Sequence, residues 1–316
     1  MRPRAVVTAG TAGPGYETAR GLLDAGYAVT VVGRDAGRGD RAARALCAGA
    51  AEPAARFLRA DLSSLAEVRL LAATLSAEGP LHLLVNNVGG VFADRWTTVD
   101  GLEGSFVLNH LSPFLLTQAL LDALAAAAPS RVVQVTSSSI TAAVPDFSEV
   151  EPPGEYHGLA VAGRARLANL AWALDVAGPL HERGITLVAA DPGTATASGA
   201  AARTPSPAAH PARDTGTARD TGTARNAGTA RIADTARSTD TARNTDTARN
   251  TDTARDADTA RDADTARNAD AAQVIIRAAT DARLRPGAVV GAAGLLRYVT
   301  PEVTRAVRSL THRVMR

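Results

Sequence analysis

The stretch VVTAGTAGPGYETAR, residues 6–20, decides the fold, because a β-branched run leads through a glycine-rich turn into a helical pattern. Gly10, Gly13 and Gly15 fall at the turn between the strand and the helix. Glycines there let the backbone approach a pyrophosphate, and the amino end of a helix favours negative charge. The stretch therefore predicts a nucleotide-binding turn, with a plain tight turn as the alternative.

Outward from this turn, short aliphatic runs alternate with longer helical patterns over the first 200 residues. The predicted strands are 6–8, 28–32, 57–60, 81–86, 131–136 and 185–190, and the predicted helices include 16–25, 39–48 and 65–75. Strands separated by helices indicate βαβ units. The predicted fold class is α/β, a single Rossmann-type doubly wound parallel sheet with helices on both faces and a low-complexity insertion.

The insertion is predicted from an arginine that recurs every six residues from Arg213 to Arg267, mostly in units such as NTDTAR and DADTAR. A six-residue period builds no apolar face on a helix, and a strand with this period has no aliphatic side. We expect residues 204–270 to lack regular structure; a stacked β-helix is the structured alternative. Residues 1–203 and 271–316 then form one domain, which ends with a helix over 271–279, a strand over 287–291 and a helix over 301–314.

Composition excludes several classes of function. All 34 basic residues are arginines and 32 residues are acidic, so the net charge of +2 favours neither nucleic acid nor an acidic membrane as partner. The absence of lysine excludes a P-loop lysine and an internal Schiff base. Cys47 is the single cysteine, which excludes an internal disulfide and a cysteine-cluster metal site, and we predict no metal. Without a signal peptide or an apolar stretch of about 18 residues, we expect a cytoplasmic protein with no membrane partner.

The second predicted strand ends in VTVVGRD, residues 29–35. Gly33 occupies the position where a carboxylate would bind the ribose hydroxyls, and Arg34 follows, 19 residues after Gly15. This spacing is close to the one of about 20 residues expected for the ribose-sensing position. A guanidinium there suits a 2′-phosphate, which favours NADP(H) as the cofactor. A solvated surface arginine is the alternative.

The order of these and later motifs resembles the short-chain dehydrogenase/reductase family, especially its retinol-dehydrogenase-like branch. The motifs are TAGTAGPG at 8–15, Arg34, RADL at 59–62, LLVNNVGG at 83–90, FVLNHLSPFLLTQALL at 106–121, RVVQVTSSS at 131–139, RLANLAWAL at 166–174 and DPGT at 191–194. The resemblance covers residues 4 to about 200 well and 271–316 loosely. It implies an oxidoreductase with a small-molecule substrate, on a fold that commonly associates into homo-oligomers.

The resemblance also implies the site residues. It places Thr8, Gly10, Gly13 and Gly15 in the turn that binds the cofactor, Asp61 and Leu62 beside the adenine, Asn87 and Gly89 beneath the adenine-side ribose, and Pro192 and Gly193 beside the nicotinamide. It implies that Asn109 belongs to the proton relay and that Ser137 orients the substrate carbonyl. A helix-bending amide and a strand-end hydroxyl are the alternatives for these two residues.

The chain departs from the family pattern in the glycine turn and in the catalytic helix. Ala9 replaces the first glycine, and Pro14 removes an N–H that would face the phosphate, although proline is tolerated at a first helical position. In GLAVAGRARLANL, residues 158–170, the family's Tyr-x-x-x-Lys falls on Ala162 and Arg166. The i, i+4 spacing puts both on one helix face, where Arg166 keeps a cation for the nicotinamide ribose but alanine has no proton to give.

Loss of a general acid costs on the order of 10² to 10⁴ in rate. Tyr156 or His157, just upstream, could replace it, although a loop-packing role is expected for Tyr156.

The preferred hypothesis is an NADP(H)-dependent short-chain oxidoreductase acting on a small hydrophobic alcohol or carbonyl compound, with an atypical active site containing Asn109, Ser137 and Arg166. The alternative is a non-redox protein on the same fold, either a nucleotide-binding regulator or a biosynthetic cyclase, dehydratase or isomerase. A third hypothesis is that the repeat tract itself is the functional element, as an interaction or spacer segment.

Overall fold

The structure, a computed structural model, describes residues 2–49, 53–152, 154–193, 246–291 and 293–316, with the backbone alone for 246–262 and residue 293. One compact unit comprises the described residues up to Gly193 together with 263–316. In a second unit, 205–262, the described backbone from Asp246 onward is helical.

The centre of the first unit is a parallel sheet with seven strands in the described part of the chain. They are β1 (Arg4–Thr8), β2 (Ala28–Gly33), β3 (Ala55–Arg59), β4 (Leu83–Asn86), β5 (Ser130–Val135), β6 (Ile185–Ala190) and β7 (Val289–Val290). Their spatial order is β3-β2-β1-β4-β5-β6-β7. The order reverses between β1 and β4, and sheets of this type bind ligands beside the carboxyl ends of the strands at such a reversal.

Helices connect the strands. They are α1 (Gly13–Asp24), α2 (Ala36–Leu46), α3 (Leu65–Ala77), α4 (Gly104–Phe106), α5 (Ser112–Ala119), α6 (Leu121–Ala126), α7 (Gly158–Glu182), α8 (Asp246–Thr280) and α9 (Pro301–Val314). A π-helical turn, Val107–Leu111, joins α4 to α5, and 3₁₀ turns cover Ser138–Ala142 and Ala293–Tyr298. Among the described residues, no helix is both long enough and apolar enough to cross a membrane.

The sheet separates two hydrophobic cores, because successive side chains of a strand point to opposite faces. In β1, Val6 belongs to the core that includes Leu75 of α3 and residues of α7 and α9. Val7 belongs to the other core, with Leu22 of α1 and Ile275 of α8. Helices therefore cover both faces, and the predicted doubly wound parallel sheet is confirmed.

The last strand of the sheet is shorter than predicted. The sequence predicts a strand over 287–291, whereas β7 contains Val289 and Val290 alone. Gly287 and Gly291, on either side, have φ angles of +74° and +103°, which lie outside the extended region. The glycines therefore end the strand at both sides.

Helix α8 differs from the expectation for the repeat tract, because its backbone is helical from Asp246, within the segment expected to lack regular structure. Alanine is the strongest helix former, and extension of an existing helix costs far less than its nucleation. The end of α8 is held in the core by Ala271 and Ala278, which are buried, so the helix has an anchored turn from which to extend. Residues 204–245 of the tract lie outside the described residues, and the domain boundaries stay a prediction.

His110 is fully buried between the π-helical turn and α9. Its Nε2 lies 2.8 Å from Oγ1 of Thr311, and its ring contacts those of Phe106 and Phe114. Burial lowers the pKa of His110 to about 3, and the positive charge of Arg164 acts in the same direction. The imidazole is therefore neutral in the folded protein at any pH well above that value.

We expect His110 to make the fold sensitive to acid. An unfolded histidine has a pKa of about 6.5, so the unfolded chain takes up the proton first and stability falls as the pH drops from about 6.5 towards 3. One such group contributes a slope of up to about 1.4 kcal/mol per pH unit to the free energy of unfolding. Urea unfolding between pH 4 and 7 should show a shallower slope in His110→Gln than in the parent.

Thr311→Val is the matched control, because it removes the hydrogen-bond partner and leaves the titrating imidazole in place. It should lower stability at every pH and keep the parental slope. Equal slopes in His110→Gln and the parent would contradict this account of the acid sensitivity.

Candidate active site

Thr8, at the carboxyl end of β1, links the glycine turn to the turn after β4. Its hydroxyl accepts hydrogen bonds from the backbone N–H groups of Asn87 (2.9 Å) and Val88 (3.0 Å), and it lies 3.3 Å from the Val85 carbonyl, to which it donates. The Asn87 amide donates in return to the carbonyl of Thr8 at 3.0 Å. The two turns at the reversal of the sheet are thus held as one structure.

The glycine turn packs closely against its neighbours and requires glycine at two positions. A Cβ at Gly15 would collide with the Ala9 carbonyl oxygen and with Nδ2 of Asn87. Gly13 has a φ of +56°, in the left-handed region that glycine favours. Gly10 is fixed by its N–H, which donates to the Val32 carbonyl at 3.1 Å.

The amino end of α1 suits an anion. Its N-cap residue is Ala12, which has no side chain that could cap the first-turn N–H groups, so these donors stay available to a ligand. Pro14, in the first turn, supplies one donor fewer than another residue would. The turn therefore fits a pyrophosphate, with a reduced set of donors.

Arg34 lies at the carboxyl end of β2 with an exposed side chain. Its guanidinium forms no hydrogen bond or ion pair with the residues that the structure describes, while its carbonyl accepts from Nε of Arg59 at 3.2 Å. Asp35 beside it caps α2, with Oδ1 accepting from the Arg38 N–H at 2.8 Å, and this bond lowers the pKa of the carboxyl. The neighbouring carboxylate is thus occupied, and the Arg34 guanidinium is free to bind an anion.

Asp61 and Leu62 follow β3, at the same edge of the sheet. Oδ1 of Asp61 accepts from the N–H and the hydroxyl of Ser63, at 3.0 and 2.7 Å, and its own N–H donates to Glu67 at 2.7 Å. Leu62 is buried. The structure therefore holds Asp61 at the carboxyl end of β3, with one oxygen already used in the turn.

Asn109 lies on the π-helical turn, with its side chain directed at the turn after β4. Its Oδ1 accepts from the N–H of Gly90 at 3.0 Å, and its Nδ2 donates to the carbonyls of Gly90 and Ser105, at 3.1 and 2.9 Å. A Cβ at Gly89 would collide with the Asn109 amide and with the Arg166 guanidinium. The structure thus brings together three predicted site residues, Gly89, Asn109 and Arg166.

Ser137 is the N-cap residue of the 3₁₀ turn after β5, and α7 packs against this turn. Oγ of Ser137 accepts from the Ser139 N–H at 3.1 Å, which leaves its hydroxyl proton available. Gly163 allows α7 to pack directly against this turn, since a Cβ there would collide with the Ser139 carbonyl. Ala162 is completely buried, and its methyl group offers no hydrogen-bonding atom.

Arg166, one turn along α7 from Ala162, keeps a positive charge inside the protein. Its Nη1 donates to the Val135 carbonyl at 2.9 Å, and its side chain is 9% exposed. Burial lowers the pKa of Arg166 to about 10, and the carboxylate of Asp191 opposes that shift. The group is therefore a cation near neutral pH.

Pro192 and Gly193 follow β6 at the same edge of the sheet. Gly193 has a φ of +79°, and its N–H donates to Oδ1 of Asp191 at 2.9 Å. Together with Thr8, Asn87, Ser137 and Arg166, this turn surrounds the carboxyl ends of the central strands. The structure therefore gathers the predicted residues at one edge, while their roles in binding and catalysis stay predictions.

Tyr156 lies in the loop before α7 and is partly buried. The charges that act on it are those of Glu103, Asp94, Glu151 and Arg95. Burial, followed by repulsion from Glu103, raises the pKa of Tyr156 to about 12, and its hydroxyl has no hydrogen-bond partner among the described residues. A phenol with a raised pKa is a poorer proton donor than an ordinary one, so this environment does not suit a replacement acid.

His157 lies at the protein surface. It is the N-cap residue of α7, forms no side-chain cap, and its side chain is 74% exposed. Its Nε2 lies 4.0 Å from Oε2 of Glu155, at the surface. Neither upstream residue is therefore an evident replacement for the missing acid.

Two buried charges in this region escaped the sequence analysis. Arg164 is 2% exposed, donates to the carbonyls of Asp146, Glu149 and Val150, and faces the rings of Phe106 and Phe147. It fixes the loop that precedes α7. The other is Asp191, which belongs to the motif DPGT but has no predicted role. Its position, a carboxylate directly after a buried strand, could have indicated a site residue.

Known proteins are similar to this chain in sequence and in fold. The sequence profile of the family described as short chain dehydrogenase matches residues 3–149. Polyprenol dehydrogenase of Mus musculus is 40% identical over 196 residues, which are 60% of this chain and 58% of that protein. These matches support membership of the short-chain dehydrogenase/reductase family.

Other members carry related names. Retinol dehydrogenase 12 of Mus musculus is 34% identical over 189 residues, which are 60% of each chain. These relatives support the retinol-dehydrogenase-like branch, and the chain matches about three fifths of their length. Among solved structures, an NADP active-site complex of Pseudomonas aeruginosa RhlG is 25% identical, with a TM-score of 0.56 and coverage of 91% of this chain and 93% of that one. A protein from Mycobacterium Paratuberculosis, 20% identical with a TM-score of 0.68, shares the fold over 99% of this chain and 92% of that one.

Ala9, which replaces the first glycine of the family turn, has a φ of +50°. A side chain in this left-handed region costs roughly 1–2 kcal/mol, whereas glycine adopts it freely. We therefore expect Ala9→Gly to raise the free energy of unfolding by about 1 kcal/mol, measured by urea denaturation.

The same substitution at Ala43, inside α2, is the matched control. Glycine within a helix costs about 0.5–1 kcal/mol relative to alanine, so Ala43→Gly should lower stability. A loss of stability in both variants would show that the turn is not strained at Ala9.

Proposed function

We propose that this chain is an NADP(H)-dependent oxidoreductase that acts on a small hydrophobic alcohol or carbonyl compound through an atypical active site. The observation that carries the proposal is the free guanidinium of Arg34 at the carboxyl end of β2, next to Gly33. No carboxylate side chain occupies the position of Gly33 to accept from the 2′-hydroxyl of NAD(H), and a guanidinium pairs well with a 2′-phosphate. Arg59, whose Nε bonds the Arg34 carbonyl at 3.2 Å, adds a second positive charge.

The rest of the site supports a dinucleotide in an extended arrangement. The uncapped amino end of α1 and the glycine turn would hold the pyrophosphate, and Asp61 and Leu62 would border the adenine. Arg166 and the turn at Pro192 and Gly193 would lie at the nicotinamide end. The bound cofactor supplies a hydride donor or acceptor, and the available hydroxyl proton of Ser137 can hydrogen-bond to a substrate oxygen.

A hydrophobic substrate agrees with the surface beside the site. Val91, Val144, Leu159 and Leu296 are between 36% and 55% exposed, and each lies on a segment that follows β4, β5 or β7. The 3₁₀ turns over Ser138–Ala142 and Ala293–Tyr298 are in contact, so two of these segments adjoin. The names of the relatives, polyprenol and retinol dehydrogenase, point to apolar alcohols as well.

The proposal is tested first by the affinities for NADPH and NADH, measured by calorimetry. We expect NADPH to bind at least about 10-fold more tightly, because a hydrogen bond to a charged group contributes about 1.5–3 kcal/mol. Arg34→Gln should remove most of that preference and leave the affinity for NADH unchanged. Arg69→Gln, which removes an exposed arginine on α3, should change neither affinity.

Turnover is the second test. The purified protein should oxidise NADPH in the presence of an apolar aldehyde or ketone, and Ser137→Ala should lower the rate. Equal affinities for the two cofactors, or NADPH binding without turnover over a broad panel of carbonyl compounds, would contradict the proposal.

A non-redox function is favoured by the absence of an evident proton donor, because Ala162 is a buried methyl group and the pKa of Tyr156 is raised. A protein with this arrangement could bind a nucleotide as a regulator, or catalyse cyclisation, dehydration or isomerisation. Ala162→Tyr combined with Arg166→Lys restores the family pair. If the parent lacks only the acid, the double variant should gain on the order of 10² to 10⁴ in reductase rate.

Ala162→Phe with Arg166→Lys is the matched control, because phenylalanine has the bulk of tyrosine without its proton. It should fold as the tyrosine variant does and gain no activity. Folded variants that bind NADPH and both lack activity would favour the non-redox function.

A further inference from the structure

Arg166 has more hydrogen-bond donors than the protein uses. A guanidinium carries five N–H donors. The described residues supply one hydrogen-bond acceptor, the Val135 carbonyl at 2.9 Å. Nη2 lies against Gly89, at the turn after β4. The remaining donors are therefore available to a ligand at this edge of the sheet.

Asp191 presents the complementary feature. Its side chain is 3% exposed, and Oδ1 accepts from the Gly193 N–H at 2.9 Å. Oδ2 is buried and has no hydrogen-bond partner among the described residues. Because an unpaired buried polar atom is costly, such an atom in a native site indicates a group that is bound there.

The two side chains face the same space. Ala189 on β6 packs into the core that contains α7, and Asp191, two residues further, points to that same face. Asp191 is the acidic residue whose charge acts on Arg166. Thr136, whose N–H donates to the Ala190 carbonyl at 2.8 Å, adds a buried hydroxyl without a partner.

The groups that line this space determine which kind of ligand can bind there. A carboxylate oxygen accepts hydrogen bonds and a guanidinium donates them, so the ligand must do both at neighbouring atoms. Two vicinal hydroxyl groups meet that requirement, because one O–H can donate to Asp191 while an adjacent oxygen accepts from Arg166. A phosphate or a carboxylate would be repelled by Asp191.

We propose that Asp191 binds the vicinal hydroxyls of the nicotinamide-side ribose beside Arg166, whose contact with that ribose the family resemblance already implies. Oδ2 of Asp191 accepts a ribose O–H and thereby supplies a hydrogen-bonding atom on the side where Ala162 has none. The inference rests on the proposed function, because it assigns the ribose of the same cofactor. It adds Asp191 to the binding residues and gives the buried carboxylate a ligand.

Asp191→Asn tests the assignment with little change in shape. The asparagine Oδ1 can still accept from Gly193, so the turn keeps its hydrogen bond, while Oδ2 becomes an amide donor. The probes are NADPH and adenosine 2′,5′-bisphosphate, which lacks the nicotinamide-side ribose. We expect NADPH to bind about 10- to 100-fold more weakly to the variant and adenosine 2′,5′-bisphosphate to bind equally well.

Asp175→Asn is the matched control. Asp175 lies on α7 and pairs with Arg308 of α9, so its replacement removes the same charge at a position away from Asp191. Both ligands should keep their parental affinities. Unchanged NADPH binding in Asp191→Asn, or equal weakening of both ligands, would overturn the inference and leave the proposed function standing.

Binding of the two ligands to the parent protein provides a second test if Asp191→Asn does not fold. The parent should bind NADPH at least about 10-fold more tightly than adenosine 2′,5′-bisphosphate, because that ligand leaves Asp191 and Arg166 without partners. Equal affinities would overturn the inference alone. Binding of neither ligand by the folded parent would overturn the proposed function as well.

Discussion

The hydroxyl of Thr8 joins the two strands between which the order of the sheet reverses. It uses one donor and two acceptors, to Val85, Asn87 and Val88, so its hydrogen-bonding capacity is fully used in the protein. The glycine turn on one side and the asparagine turn on the other therefore keep a fixed separation. The close packing of Gly15 against Ala9 and Asn87 and the position of Asn109 against Gly90 both depend on that separation.

Helix α7 carries two buried arginines that serve different purposes. Arg164 satisfies three carbonyls of the preceding loop and contacts two aromatic rings, so its charge is used in holding that loop. Arg166 has a single acceptor in the described protein and faces Asp191 across the edge of the sheet. The first arginine is a structural element, and the second is the cation of the candidate site.

The site retains more of the features that hold a nucleotide than of those that transfer a proton. The turn, the uncapped helix and Arg34 present space and positive charge for phosphates, despite Ala9 and Pro14. At the reacting end, Asn109 is fully engaged with the backbone and Ala162 has no polar atom. Under the proposed function, cofactor binding and proton transfer would depend on different parts of this edge.

Local signals in the sequence determined the elements and much of the site. The strand over 185–190 and the helix over 301–314 agree with β6 and α9 residue for residue, because an uninterrupted aliphatic run and a proline at the helix start are local features. Motif order placed Thr8, Arg34, Asn87 and Arg166 at the carboxyl edge, since every strand of a parallel sheet ends there. The helix over 246–270 was not foreseen, because a period of six predicts no buried face and says nothing of extension from an anchored end.

Only the tertiary structure decided how the charges pair. The roles of Arg164 and Asp191 depend on loops and strands that are distant along the chain, and a buried charge is defined by the partners that folding brings to it. The raised pKa of Tyr156 follows from burial and from the charges of Glu103 and Asp94, which are distant along the chain. The sequence by itself determined which groups are present at this edge of the sheet. Long-range packing decided which of them are satisfied by the protein and which are left for a ligand.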